Sequence, residues 1–123
     1  MVKVEFFREH SIQKGTERRD FLYVKDLVKF ISIAIKKQKT KFELVNVSYG
    51  RSLSIKDLVS KIIKISEKKI KIKFNKSKPT IKTTISLSNK LVKSKFNWEP
   101  ETNIDSGIKK TIIWWKKNFN KNK

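Results

Sequence analysis

The sequence predicts a single α/β domain of about four helices and short strands. Three observations predict it. A length of 123 residues suits one domain. Helical stripes alternate with extended apolar segments, with no internal repeat and no low-complexity linker. Two Ser/Thr-x-x-Asp pairs, Ser54/Asp57 and Thr102/Asp105, stand where helical stripes begin, close to a capping-box start signal.

The elements follow in chain order. Residues 1–14 form an N-terminal segment in which Val2, Val4 and Phe6 alternate with Lys3 and Glu5, a candidate strand. Residues 10–18 are polar and hold Gly15, which reads as a loop. Residues 21–24 read as a short buried strand, after which Asp26 caps a helix reaching about residue 38. Its apolar positions Leu27, Phe30, Ile31, Ala34 and Ile35 share one face. Residues 42–47 read as a second strand closed by Ser48-Tyr49-Gly50. Ser54 then opens a helix carrying Ile55, Leu58, Val59, Ile62, Ile63 and Ser66 on one face. Strict alternation over residues 70–74 predicts a half-buried strand. A turn at residues 77–80, an extended stretch over 83–87 and a short helix over 88–96 come next, with Ser88 able to cap and Trp98-Glu99-Pro100 ending it. Ile104, Ile108, Thr111, Ile112, Trp115 and Phe119 make the stripe of a last helix, and Lys116 and Lys117 suit its negative C-terminus. The domain is therefore expected over residues 15–119, with a frayed tail at 120–123.

Composition narrows the chemistry. Without Cys there is no disulfide framework and no thiolate metal site, and one His (His10) leaves a His-based zinc site short of ligands. No metal site and no catalytic set are expected. One His and no Gly-framed Ser argue against a nucleophile elbow. Asp26, Asp57 and Asp105 each sit near a helix start, where capping is the expected role. Glycine occurs only at 15, 50 and 107, which excludes a Gly-rich dinucleotide loop and a P-loop, so no cofactor-binding residue is expected in this chain. No apolar run is long enough to span a bilayer and Met1 leads into charge, so a soluble cytoplasmic protein without membrane contact is the expectation. The net charge of +20 comes from 27 Lys and only 4 Arg, beside abundant Ile and a single Ala, Ala34. That bias, spread over nearly every segment, reads as a solvated lysine surface before it reads as a binding face.

Three segments are distinctive. They are Gly15-Thr16-Glu17-Arg18-Arg19-Asp20-Phe21-Leu22-Tyr23-Val24-Lys25-Asp26-Leu27-Val28, then Val45-Asn46-Val47-Ser48-Tyr49-Gly50-Arg51-Ser52-Leu53-Ser54-Ile55, then the run from Phe96-Asn97-Trp98-Glu99-Pro100 through Trp114-Trp115. In this order and spacing they resemble the C-terminal part of NAD-dependent sugar-nucleotide epimerases and dehydratases, the extended short-chain dehydrogenase/reductases. The resemblance runs over residues 15–118. It implies the small C-terminal lobe of such an enzyme, an α/β substrate-binding domain with the N-terminal Rossmann domain absent. The full-length family enzyme uses NAD(P) and a Tyr-x-x-x-Lys pair. Neither Tyr23 nor Tyr49 has Lys four residues on; Leu27 and Leu53 stand there.

The resemblance also implies site residues. Arg19 matches the family arginine that contacts the substrate diphosphate, a role suited to a guanidinium fork. The alternative for Arg19 is a surface ion pair with Glu17 or Asp20, and Arg18 is expected to be solvated. Family members place a second basic residue after a proline like Pro79; Lys82 or Lys78 can stand in, with charge but no fork. Ser48 replaces the first glycine of the family's Gly-x-Gly turn. Asn97 replaces a glycine before Trp98, a change that a left-handed backbone tolerates. Asn46, Gly50, Trp98 and Pro100 are expected to be structural, and Trp114 and Trp115 to pack in the core.

Three functions compete. The first is the substrate-binding domain of a nucleotide-sugar epimerase, dehydratase or reductase, a fragment or split half that orients an NDP-sugar beside a separate Rossmann-domain chain or within a homo-oligomer. The second is a non-catalytic remnant of such an enzyme. The third is a basic nucleic-acid-binding module, disfavoured because the aromatics lie on apolar faces and Arg is scarce.

Overall fold

A computed structural model describes residues 15–75, 77 and 83–119. Six elements occur there, in the order β1 (Arg18–Asp20), α1 (Val24–Lys37), β2 (Ser52–Ser54), α2 (Ile55–Ser66), α3 (Lys90–Phe96) and α4 (Ile104–Phe119). β1 and β2 pair antiparallel, with Arg19 opposite Leu53. On its other edge β1 takes a parallel bridge to Thr84, through Arg18 N–H to the Thr83 carbonyl and Ile85 N–H to the Arg18 carbonyl, 3.0 Å each. The strand expected at residues 21–24 is thus displaced to Arg18–Asp20. A polar Arg-Arg-Asp run is extended because it is bonded on both edges, not because of its side chains.

Val24 instead opens α1, and its N-cap, Tyr23, makes no side-chain capping bond. Asp26 does not cap the helix. It is 5% exposed and accepts from Thr102 N–H (2.9 Å) and the Thr102 hydroxyl (3.0 Å), fastening the first turn of α1 to the chain entering α4. Thr102 is therefore unavailable to cap α4, and Asn103 does so, its Oδ1 accepting from Ser106 N–H at 2.9 Å. The α2 start is as the sequence predicts: Ser54 Oγ accepts from Asp57 N–H at 3.0 Å and donates to Asp57 Oδ2 at 2.6 Å. Gly15 precedes β1 at φ +63, its carbonyl accepting from Lys56 N–H at 2.9 Å. A Cβ there would lie 2.9 Å from that of Lys56, so only glycine fits.

The core is small. Phe30 of α1, Val92 and Phe96 of α3, and Trp98 are buried, with Leu22, Ile33, Ala34, Val45 and Val47 packed around them. Phe30 meets Phe96 and Trp98 edge-on at centroid distances of 5.5 and 5.6 Å. Asn97 holds a left-handed backbone (φ 52, ψ 46) that turns the chain from α3 to Trp98. On the far side α4 packs on α2, with Ile104, Ile108 and Ile112 half-buried and Gly107 against Tyr23.

Four further expectations are corrected. Residues 70–74 form no strand, since an alternating pattern becomes a strand only with a partner edge. Residues 42–47 form no paired strand among the described residues. The short helix starts at Lys90, not Ser88, behind Asn89, whose side chain is committed elsewhere. Trp114 and Trp115 do not enter the core: they are 55% and 52% exposed, because α4 runs beyond its contact with α2, and they touch only Phe119 among aromatic rings of the described residues. The candidate strand at residues 2–6, Lys78, Lys82 and the tail at 120–123 lie outside the described residues.

Candidate functional site

The site is built on β1. Its two arginines are side by side in sequence and differ in commitment. Arg18 is not solvated: Nε donates to Ser52 Oγ (3.1 Å) and Nη2 to the Ser52 carbonyl (2.7 Å), tying β1 to β2. Arg19 is half-buried, and its Nη1 alone is engaged, donating to the carbonyls of Arg18 (2.9 Å) and Thr83 (3.1 Å). Among the described residues Nε and Nη2 of Arg19 carry no hydrogen bond, and neither Glu17 nor Asp20 pairs with it. One nitrogen thus fixes the plane of the guanidinium while the Nε/Nη2 edge keeps its donors, the pair that matches two oxygens of a phosphate.

Asp20 organises the surroundings instead of pairing with Arg19. Its carboxylate accepts from Tyr49 N–H (2.7 Å), Gly50 N–H (2.9 Å) and Leu87 N–H (3.4 Å), drawing the turn at residues 48–50 and the stretch at 83–87 onto β1. Gly50 takes φ +83 in that turn. Ser48, in the position where the family resemblance expects glycine, is buried. Its hydroxyl donates to Asn89 Oδ1 (2.9 Å) and Asn89 Nδ2 returns a bond to the Ser48 carbonyl (2.7 Å). A side-chain network thus holds this turn. Asn46, expected to be structural, is exposed and makes no hydrogen bond among the described residues. Lys82 and Lys78 lie outside the described residues, so Arg19 is the site residue whose surroundings are defined.

Among the described residues Gly15 and Gly50 serve separate turns and Gly107 lies inside α4, so these glycines do not form the Gly-rich turn that a dinucleotide requires. Among the described residues no cluster of His, Cys, Asp or Glu could hold a metal ion, and no helix is long and apolar enough to cross a membrane. A shallow cleft between α2 and α4 is lined by Lys61, Lys64, Ile65, Glu67, Asp105 and Lys109. Lys61 and Asp105 pair across it at 2.7 Å. The carboxyl of Glu43 lies below the ordinary carboxylate range because Lys95, and then the Thr40 hydroxyl, hydrogen-bond it.

The small lobe has counterparts among known proteins. The family described as GDP-mannose 4,6 dehydratase matches residues 5–111. The chain belongs to this NAD-dependent epimerase/dehydratase family and represents its C-terminal part. It is 33% identical over 110 residues to a UDP-glucuronate 4-epimerase of Thermodesulfobacterium geofontis, covering 85% of this chain and 32% of that protein. It is 32% identical over 101 residues to a GDP-L-colitose synthase of Yersinia pseudotuberculosis, covering 82% and 32%. In structure it is similar to UDP-glucuronic acid 4-epimerase from Bacillus cereus in complex with UDP-glucuronic acid and NAD. That match has a TM-score of 0.75 and 25% identity over 89% of this chain and 35% of the epimerase. The chain thus spans about a third of the length of the relatives it matches.

Proposed function

We propose that this chain is the substrate-binding lobe of a nucleotide-sugar epimerase or dehydratase, and that it orients the diphosphate of an NDP-sugar. The observation that carries the reading is Arg19, fixed on β1 by one nitrogen and presenting the rest of its fork. Two further points support it: relatives of the same family act on UDP- and GDP-linked sugars by name, and Asp20, next to the arginine on β1, holds the turn at residues 48–50 and the stretch at 83–87. Lys82 or Lys78 adds a second positive charge without the bidentate geometry. Neither a hydride acceptor nor a proton donor for the sugar is assigned to this chain, and NAD and the chemical step belong to a separate domain.

Titration calorimetry of the 123-residue chain tests this. UDP or GDP should bind at least about tenfold more tightly than the corresponding monophosphate. Arg19→Ala should remove that preference and Arg19→Lys retain part of it. Equal affinity for mono- and diphosphate, unchanged in Arg19→Ala, refutes the diphosphate reading. NAD binding or epimerisation by the isolated chain refutes the division of labour.

A further inference from the structure

The last turns of α4 carry an aromatic patch that the described lobe leaves open. Trp114, Trp115 and Phe119 are 55%, 52% and 59% exposed. At about 100° of turn per residue, the three rings fall within about 140° of the helix circumference. They form one cluster: Phe119 meets Trp114 edge-on at 5.6 Å between centroids and stacks on Trp115 at 6.2 Å. Lys116 and Lys117 bound this arc, one about 60° beyond Phe119 and the other about 60° beyond Trp114. Lys109 and Lys110 continue the same two edges about two turns earlier, Lys110 with its Nζ over the Tyr23 ring at 5.5 Å. All four lysines are exposed, and among the described residues none pairs with a carboxylate. Ile113, also exposed, lies opposite the rings.

Ordinary structural roles do not account for this end of the helix. Lysines in a last turn suit the negative helix C-terminus, but that leaves the rings unexplained. Large apolar side chains exposed singly are normal, whereas these three are contiguous and two are tryptophan. An aromatic arc edged on both sides by lysine is the arrangement of a helix that lies in a membrane interface. The rings enter the boundary between headgroups and acyl chains, and the lysine stems reach back to the phosphates. Tryptophan suits that depth because its ring is apolar while its indole N–H stays in the wet layer. We infer that the end of α4 binds the surface of an anionic lipid bilayer. Charge selects this occupant. With a net charge of +20 a second copy of the chain is repelled, whereas an anionic leaflet attracts it and offers phosphates to the four lysines. Nucleic acid fits less well, since base stacking needs open ring faces and Trp115 and Phe119 already stack on each other. A protein segment would need a groove, and the cleft between α2 and α4 has none of the three rings in its walls. Among the described residues no helix is long and apolar enough to cross a membrane, so the contact is peripheral and reversible. The inference does not depend on the phosphate contact of Arg19.

The test mixes the 123-residue chain with vesicles of phosphatidylcholine alone, or of phosphatidylcholine and phosphatidylserine in equal parts. Co-sedimentation and tryptophan emission are read. Trp98 is 2% exposed in the core, so a change of emission on binding reports Trp114 and Trp115. The chain should sediment with the phosphatidylserine vesicles only, its emission shifted to shorter wavelength and quenched by brominated acyl chains. Trp114→Ala/Trp115→Ala should weaken binding at least about tenfold. Lys116→Gln/Lys117→Gln should weaken it about 25-fold, at about fivefold per lysine near the surface. Both pairs alter exposed positions, so the circular dichroism of the chain should not change. Should the tryptophan variant fail to fold, bromine quenching in the wild type decides the same question. Binding without an emission shift, or binding that Trp114→Ala/Trp115→Ala leaves unchanged, assigns the contact to the diffuse lysine surface and overturns the inference. Equal binding to phosphatidylcholine alone, or no binding to either vesicle, overturns it too. Tryptophan quenching by single-stranded oligothymidine, in a chain that ignores both vesicles, assigns the rings to nucleic acid instead. Arg19→Ala should lose its preference for UDP and keep the vesicles. Loss of UDP binding with vesicle binding intact therefore bears on the diphosphate reading alone, and vesicle binding lost in Arg19→Ala overturns the assignment to α4.

Discussion

Replacing Asp26 tests how the first turn of α1 is fastened to the start of α4. The carboxylate is 5% exposed, Thr102 is 9% exposed, and two hydrogen bonds of 2.9 and 3.0 Å join them. Asp26→Ala removes both acceptors. The Thr102 N–H is then orphaned in a buried place, at about 1–3 kcal/mol, and the hydroxyl loses a charge-assisted bond of comparable worth, so the total loss should be about 3 kcal/mol. Asp26→Asn behaves differently. Its Oδ1 still accepts from the N–H, its Nδ2 donates to the hydroxyl oxygen once that group rotates, and only the charge is lost, at about 1 kcal/mol. With a urea m-value of about 1.5 kcal/mol/M for a domain of this size, the midpoint should fall by about 2 M for Ala and by less than about 1 M for Asn. Urea titration followed by far-ultraviolet circular dichroism measures both. Equal midpoints for the two variants, or an Ala shift under about 0.5 M, refute the assignment of this pair as a buried two-bond clasp.

The remaining predictions concern other joints. Gly15→Ala, with φ +63 and a Cβ 2.9 Å from Lys56 Cβ, should cost about 2–3 kcal/mol in the same titration, since left-handed strain and overpacking add. Phe96→Ala should cost about 3–5 kcal/mol by removing one buried ring packed on Phe30, whereas Trp114→Ala and Trp115→Ala, more than half exposed, should each shift stability by less than about 0.5 kcal/mol. Because the Glu43 carboxyl is lowered by Lys95 and Thr40, its contribution to stability is present above the ordinary glutamate value and is lost as pH falls through the lower folded value. Comparing the acid limb of the stability curve for wild type and Lys95→Met, below about pH 4.5, should show the wild type losing its small advantage.

What the sequence disclosed depended on where each element's cause lies. The α2 start was legible because Ser54 and Asp57 determine it within four residues. The α4 start was half legible: the helix begins where a capping signal stands, but Thr102 is drawn off by Asp26, 76 residues away in sequence, and Asn103 caps instead. β1 was illegible because Arg18–Asp20 holds no apolar residue, and its extension comes from bonds to residues on two distant segments. Residues 70–74 failed in the opposite sense, with the right alternation and no edge to join. Arg19 came from the family resemblance, since spacing alone does not distinguish it from Arg18. Asp20 carried no local signal that could tell which turn its carboxylate would grip.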